Sequence, residues 1–360
     1  MIETEASCAD LPSSQDAAVS ESRRVRVLLA GATGYIGRRV AQELLVRKYE
    51  VVCLVRAHSG IGGRNDPDTV RQELHGCVVR VVDVTQRESL WSEGFRGEHF
   101  DAVVTCLASR TGGIEDSWRI DYRANRLLLD AALDHGVGQF ILLSAICVQK
   151  PRLAFQKAKL RMEQELVASG INYSIIRPTA FFKSLSGQIE SIRKGRPCYV
   201  FSCPDAACKP IAESDLAAFM VDCLENPHHH NRILPVGGPE PATTARQRGD
   251  LLFALTGQTP RFRSIPVWLL DMIILVLNGL GCILPRLRDK AEFARIARYY
   301  ATESMLVYDP VSGRYDAAAT PSYGRCTLRA FYEHALQHGL AGHELGDHAF
   351  SAGKPDSSPL

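Results

Sequence analysis

Phe155 and Lys159 stand four residues apart in the stretch LAFQKAKLRMEQEL, residues 153–166. The stretch reads as a helix, and that spacing puts an aromatic ring and an ammonium on one helical face. A tyrosine at 155 would hold a phenolic proton beside the ammonium, a layout that many carbonyl reductases use. Phenylalanine has no titratable group and cannot act as a general acid. The pair keeps the cation of that layout and lacks its acid.

The elements that must position this helix begin at VRVLLAGATGYIGRRVAQELL. Val25 to Ala30 is a short apolar run of strand type. Gly31, Gly34 and Gly37 follow, and a helical pattern opens at Ile36, Val40, Leu44 and Leu45. Strand, glycine turn and helix together make a dinucleotide-binding motif credible. The chain must turn tightly, its backbone must approach a pyrophosphate, and the helix must pack close to the strand. The helix N-terminus then offers free N–H groups and a positive dipole end to the phosphates.

The second strand, EVVCLVR, ends at Arg56, where an acidic residue would grip the ribose hydroxyls of NAD. An arginine there suits the 2′-phosphate of NADP, and Arg38 stands ready to join it. A third strand ends at Asp83 and Val84, where an adenine edge can be read. A fourth ends in the small residues Ala108 and Ser109, which permit close approach to a cofactor. A helix carrying Asn125 follows, then a fifth strand with Ser144 near its end, then a sixth, INYSIIRPTAFF. Strands alternating with helices predict an α/β fold, a doubly wound parallel sheet of Rossmann type. Its ligands would lie beyond the carboxyl ends of the strands. Ser144, Lys159, Arg177 and the Ala108–Ser109 pair all fall at that edge.

The composition excludes several classes. With 46% hydrophobic and 23% charged residues in 360, the chain is that of an ordinary globular protein. A net charge of +2 gives no electrostatic reason to expect nucleic acid. The 11 cysteines contain no CxxC pair, so no metal site is expected. They read as reduced thiols in a cytoplasm. Residues 1–24 carry five acidic residues and little apolar content, which predicts a disordered tail instead of a targeting segment. Residues 350–360 predict a second tail.

Over residues 25–240 the chain resembles the extended, atypical short-chain dehydrogenase/reductases, through GATGYIG, Asp83-Val84, Asn125, Ser144, Lys159 and RPTAFF. The resemblance implies an NADPH cofactor on Gly31, Thr33, Gly34, Tyr35, Ile36, Gly37, Arg38, Arg56, Asp83, Val84, Ala108, Ser109, Asn125, Ser144 and Lys159. It also implies that Lys159 holds the nicotinamide ribose. The departure is Phe155, where that family places its tyrosine acid.

AICVQKPRLAFQKAKLRMEQEL, RPTAFFKSLSGQIESIRKGRPCYVF, LPVGGPE, ARYYATESMLVYDP and ATPSYGRCTLRAFYEHAL are similar to the narrower family of 8-vinyl reductases of chlorophyll biosynthesis. That family carries a non-tyrosine aromatic at the position of Phe155. The resemblance implies a magnesium tetrapyrrole substrate and reduction of its vinyl group, with no carbonyl to protonate. Phe155 then serves as an apolar wall beside the vinyl, and water or Lys159 are candidates for the proton. Two other readings stay open: a non-catalytic NADPH-binding sensor or assembly factor, and a reductase of another conjugated double bond.

The domain reading is a Rossmann half at 25–180, later strands from 181–240, and a mostly helical substrate region at 181–349. Phe181, Phe182, Lys183, Trp268 and Tyr299 are the candidate substrate residues, the aromatic ones for stacking on a flat macrocycle. Residues 265–285, IPVWLLDMIILVLNGLGCILP, form the strongest apolar run. The run is near the length of a membrane span but is interrupted by Asp271, Asn278 and two glycines. The leading expectation is a buried or substrate-facing helix, with peripheral membrane contact the next. The sequence sets no oligomeric state.

Overall fold

The computed structural model describes residues 24–58, 66–281, 284 and 286–340. The two expected tails lie outside these residues, Arg24 apart. The first half alternates strand and helix: β1 (Arg26–Ala30), β2 (Glu50–Val55), β3 (Val78–Val81), β4 (Ala102–Thr105), β5 (Gln139–Leu143) and β6 (Asn172–Pro178). The second half adds β7 (Cys198–Phe201), β8 (Ala207–Cys208), β9 (Arg232–Val236), β10 (Thr243–Thr244) and β11 (Phe262–Ile265).

Seven strands form one sheet in the order β3-β2-β1-β4-β5-β6-β9, and every neighbouring pair is parallel. Both faces are covered, so these strands read as continuous apolar runs. Alternate residues serve opposite cores: Val27 and Leu29 face one cluster, Leu28 and Ala30 the other. The strand order reverses between β1 and β4, which opens the ligand crevice above their carboxyl ends. The Tyr35–Val46 helix covers one face through Ile36, Val40, Ala41 and Leu44. The sheet's last strand, β9, comes from Arg232–Val236.

Two expectations for the second half change. Residues 181–195 predict one helix, yet the chain makes a turn at Phe182–Leu185 and a separate helix at Ile189–Arg193. The Ser186 hydroxyl donates to the Lys183 carbonyl and Gly187 follows, which ends the first turn. The apolar run forms the Val267–Gly281 helix, paired with the Arg286–Thr302 helix as a hairpin. It is exposed along most of its length, so the expectation of burial is corrected. No helix among the described residues is long and apolar enough to cross a membrane. Thr327 caps the closing Leu328–His338 helix as its sequence predicts, accepting from the Ala330 N–H at 3.2 Å.

Candidate active site

The glycine turn has a shape that side chains would destroy. Gly31 has φ +82°, and a Cβ there would lie 2.8 Å from the Cys106 carbonyl at the end of β4. A Cβ on Gly37 would run into the Gly31 oxygen. The first helix starts with no acidic residue in its first turn and no side-chain cap on Gly34. This backbone cradle fits a pyrophosphate by both space and dipole. Thr33 lies half-buried in the loop. The Ile36 side chain is in the core, so that residue offers a ligand only its backbone.

Tyr35 ties the cradle to the second half. Its phenol donates to Glu213 at 2.6 Å, its ring meets Phe181 edge-on at 6.3 Å, and the Lys183 ammonium lies 4.9 Å from the ring centre. Burial first, then the Glu213 charge, hold the phenol well above the ordinary tyrosine range.

At the adenosine end, Arg56 shares a cationic cluster with Arg110 and Arg119. Desolvation and the Arg110 charge pull its pKa down, opposed by Asp116 and Asp83. A phosphate dianion would relieve that like-charge crowding. Arg38 pairs with Glu73 at 2.9 Å. Asp83 accepts from the Thr85 N–H at 2.9 Å and hydroxyl at 2.6 Å, which shapes the loop after β3. Val84 beside it is buried.

Lys159 lies on the Ala154–Ala168 helix, and its ammonium meets Asp121 at 3.0 Å. Asp121 is buried, and its other oxygen faces the Ser109 N–H at 3.4 Å, beside exposed Ala108. It belongs to a π-helical stretch, Ser117–Ala124, that runs into the Asn125–Asp134 helix. Asn125 supports the wider turn: its amide donates to the Ile120 and Asp121 carbonyls at 3.1 and 3.2 Å. Its oxygen accepts from Thr105 on β4 at 2.6 Å. Burial pushes the Cys106 thiol up to about 12, with Lys159 pulling the other way.

One turn beyond Lys159, buried Glu163 accepts from the Ser144 hydroxyl and pairs with Arg177. Ser144, Asn125 and Arg38 thus already bond to other side chains, while the Lys159–Asp121 pair stands beside Ser109 and Cys106 at the crevice. Phe155 is half-buried against a cluster that contains Ile146, Cys147, Leu153 and Tyr299.

The candidate substrate aromatics fall in different places. Phe181 stands beside the glycine turn. Phe182 is 2% exposed in a core cluster, and the Tyr299 ring, 4% exposed, donates its hydroxyl to the Cys147 carbonyl at 3.1 Å. Neither ring has an open face for a macrocycle in this conformation, since each fills a core position. Trp268 is 63% exposed on the outer helix. Asp121 and Glu163 were not among the predicted site residues. Each stands four residues from a predicted one, Asn125 or Lys159, on the same helical face, and that spacing is the signal that could have found them. No group of three potential metal ligands occurs among the described residues.

A family model described as NAD(P)H-binding matches residues 31–227. The chain is 50% identical to a chloroplastic divinyl chlorophyllide a 8-vinyl-reductase of Oryza sativa subsp. indica, over 89% of this chain and 81% of that one. It is 48% identical to the Zea mays enzyme of the same name, over 89% and 82%. This chain belongs to the divinyl chlorophyllide a 8-vinyl-reductase family. In this chain the Lys159–Asp121 pair and the glycine cradle both stand next to the end of β4 in an NAD(P)H-binding fold. The fold also matches an NADPH-dependent quinone oxidoreductase of Escherichia coli solved with NADPH, at TM-score 0.63 and 18% identity, covering 86% of this chain and 99% of that one.

Proposed function

We propose that this chain reduces the C8 vinyl group of divinyl chlorophyllide or divinyl protochlorophyllide to ethyl, as an oxidoreductase acting on a CH–CH group. The observation that carries this reading is identity of 50% over 89% of the chain to a plant enzyme of that name. The residues from 25 to 180 form the nucleotide half, with later strands from 181–240, and the tetrapyrrole is received within the region 181–349, of which 341–349 lie outside the described residues.

The cofactor is NADPH, which when bound supplies a hydride for the vinyl terminus. The residues that would hold it are the Gly31–Gly37 cradle for the pyrophosphate, Arg56 for the 2′-phosphate, and Asp83 with Val84 at the adenine. Ala108, Ser109, Asn125 and Ser144 shape the crevice wall, and Lys159 holds the ribose.

Charge that develops on a vinyl-substituted macrocycle spreads over the ring, so no phenolic acid is required at position 155. Phe155 instead presents hydrocarbon beside the vinyl and keeps water from that side. Asp121 keeps the Lys159 ammonium oriented toward the crevice, where it also stands as a proton source for the inner vinyl carbon. Positioning within near-attack distance supplies most of the remaining acceleration.

The nine described cysteines are free thiols, which suits a reducing compartment, the cytoplasm in this reading. Because the substrate is largely apolar, the enzyme works as a membrane-peripheral protein. The test is anaerobic incubation with NADPH and divinyl chlorophyllide, followed by chromatography and mass detection. The expected product is heavier by two hydrogens, with the 8-vinyl converted to ethyl. No conversion where NADPH demonstrably binds would replace this reading with a non-catalytic, nucleotide-binding one.

A further inference from the structure

The reaction does not absorb the exposed apolar face of the Val267–Gly281 helix. Its inner stripe is Val267, Leu270, Ile274, Leu277 and Gly281, spaced three and four apart, and this stripe is the less exposed one. Its two polar side chains are also turned to the partner helix. Asp271 pairs with Arg298, and Asn278 accepts from Arg295 at 2.6 Å. The rest of the surface is left wholly apolar: Trp268, Leu269, Met272, Ile273, Leu275 and Val276 are all exposed, Leu275 at 64% and Val276 at 53%. A Cβ on Gly279 would meet nothing within 4 Å. A contiguous exposed patch of this kind marks an interaction surface.

The charge around the patch has one sign. Between Asp250 and Asp289 the chain has a single acidic residue, Asp271, and Arg298 neutralises it. Exposed Arg261 and Arg263 precede the helix, and exposed Arg288 and Lys290 follow it. Asp289, between these two cations, lies against Gly113 on the loop after β4. A helix of 15 residues is roughly 22 Å long, so cations mark both ends of an apolar stripe of about that length.

We infer that this face docks on an anionic lipid surface, the helix lying in the plane of the headgroups with its stripe in the acyl boundary. The inference rests on the membrane-peripheral reading above and names its docking element and lipid class. The pattern is that of an interfacial helix: apolar face, tryptophan near one end, basic flanks for anionic headgroups. A second copy of the chain fits less well, because cations at both ends of the stripe would meet cations in either two-fold orientation.

The docked helix is wired to the site. Arg295, which holds Asn278, also holds Glu292 at 2.9 Å, and Glu292 accepts from the Ala154 N–H at 2.8 Å. Ala154 is the first residue of the helix that carries Phe155 and Lys159. The inner helix also rests on the loop after β4, with Ile296 against Gly112. Docking therefore couples the lipid-facing helix to the start of the helix that carries Phe155 and Lys159.

The test uses the full chain and phosphatidylcholine vesicles with and without phosphatidylglycerol. The protein floats with the phosphatidylglycerol vesicles and less with the neutral ones. Brominated acyl chains quench an emission component that Trp268→Phe removes. Leu275→Glu with Val276→Glu weakens flotation about tenfold or more. Its turnover of detergent-dispersed divinyl chlorophyllide is unchanged. Three results would overturn the inference: no flotation of the parent chain, equal flotation of the double variant, or a solution dimer that the double variant dissolves. Loss of turnover in detergent by a folded double variant would also overturn it and assign the face to the substrate. Flotation needs no turnover, so it is judged separately from the reduction assay.

Discussion

Phe155 separates two chemistries by a single oxygen atom. If the ring acts as a wall, Phe155→Tyr leaves vinyl reduction within a fewfold of the parent, because the added hydroxyl has no carbonyl oxygen to serve. Steady-state assay of both proteins checks this, and a large rate gain would mean that an acid was wanted there after all. The Lys159–Asp121 pair makes a stronger demand. Both side chains are largely withdrawn from water, so breaking the pair costs about 3 kcal/mol of stability. Asp121→Asn and Lys159→Met each lower the denaturation midpoint, and the double variant loses less than the sum. Additive losses would mean that the two groups act independently. At the other end of the crevice, Arg56→Asp weakens NADPH binding more than NADH binding, by about tenfold or more, the worth of one charge-assisted hydrogen bond to a phosphate. Equal weakening would take Arg56 away from the 2′-phosphate. The placement of Phe155 and Lys159 on one helix, and of Arg56 just past the end of β2, was legible because it follows from local spacing and from the end of a strand. The contact between Lys159 and Asp121 was not, because the two lie 38 positions apart and only the fold brings them together.

Helices and strands were legible where a periodic pattern met a clear stop. The glycine turn, the Tyr35–Val46 helix and the Thr327 cap all follow from residues within a few positions of each other. The hairpin was not legible in the same way. A largely apolar helix predicts burial, but this one leaves its outer face exposed, while Arg295 and Arg298 of the next helix take up its two polar side chains. The same partner helix does a second task that no local pattern reveals. The helix bearing Lys159 begins at Ala154 after Leu153, which has no side-chain oxygen to cap it. Glu292 supplies the missing acceptor from 138 positions away, and its negative charge suits that helix end. Glu292→Ala therefore costs about 1–2 kcal/mol, as loss of a cap does, and it loosens the first turn, where Phe155 sits. The expected signature is a lower melting temperature together with a fall in kcat larger than any change in KM for NADPH. A fall in stability with kcat untouched would leave Glu292 a structural cap only.

Over the whole molecule, tyrosine hydroxyls join parts that the sheet leaves separate. Tyr35 links the glycine turn to the Glu213–Glu225 helix, Tyr49 donates to Glu225 at 2.8 Å, and Tyr323 donates to Asp222. Tyr315 donates to Glu303 at 2.7 Å, and Tyr299 and Tyr332 donate to backbone carbonyls. Burial is the first cause in holding all six phenols above the ordinary tyrosine value; nearby carboxylates add to it at five of them, while at Tyr332 the Arg248 charge pulls the other way. A folded-state pKa that is raised means that the native chain keeps these protons after the unfolded chain has released them. Their contribution to stability is whole below about pH 10 and is lost as the pH climbs toward the folded values. The denaturant midpoint therefore holds from pH 8 to about 10 and then falls steeply, with the slope set by the number of protons withheld. Tyrosinate absorbance from these six groups appears together with loss of helical circular dichroism, as one cooperative transition. Tyr323→Phe and Tyr49→Phe each lower the slope above pH 10, because each removes one withheld proton. If all eleven tyrosines titrate in the native chain before any helicity is lost, these hydroxyls are not struts between the elements they join.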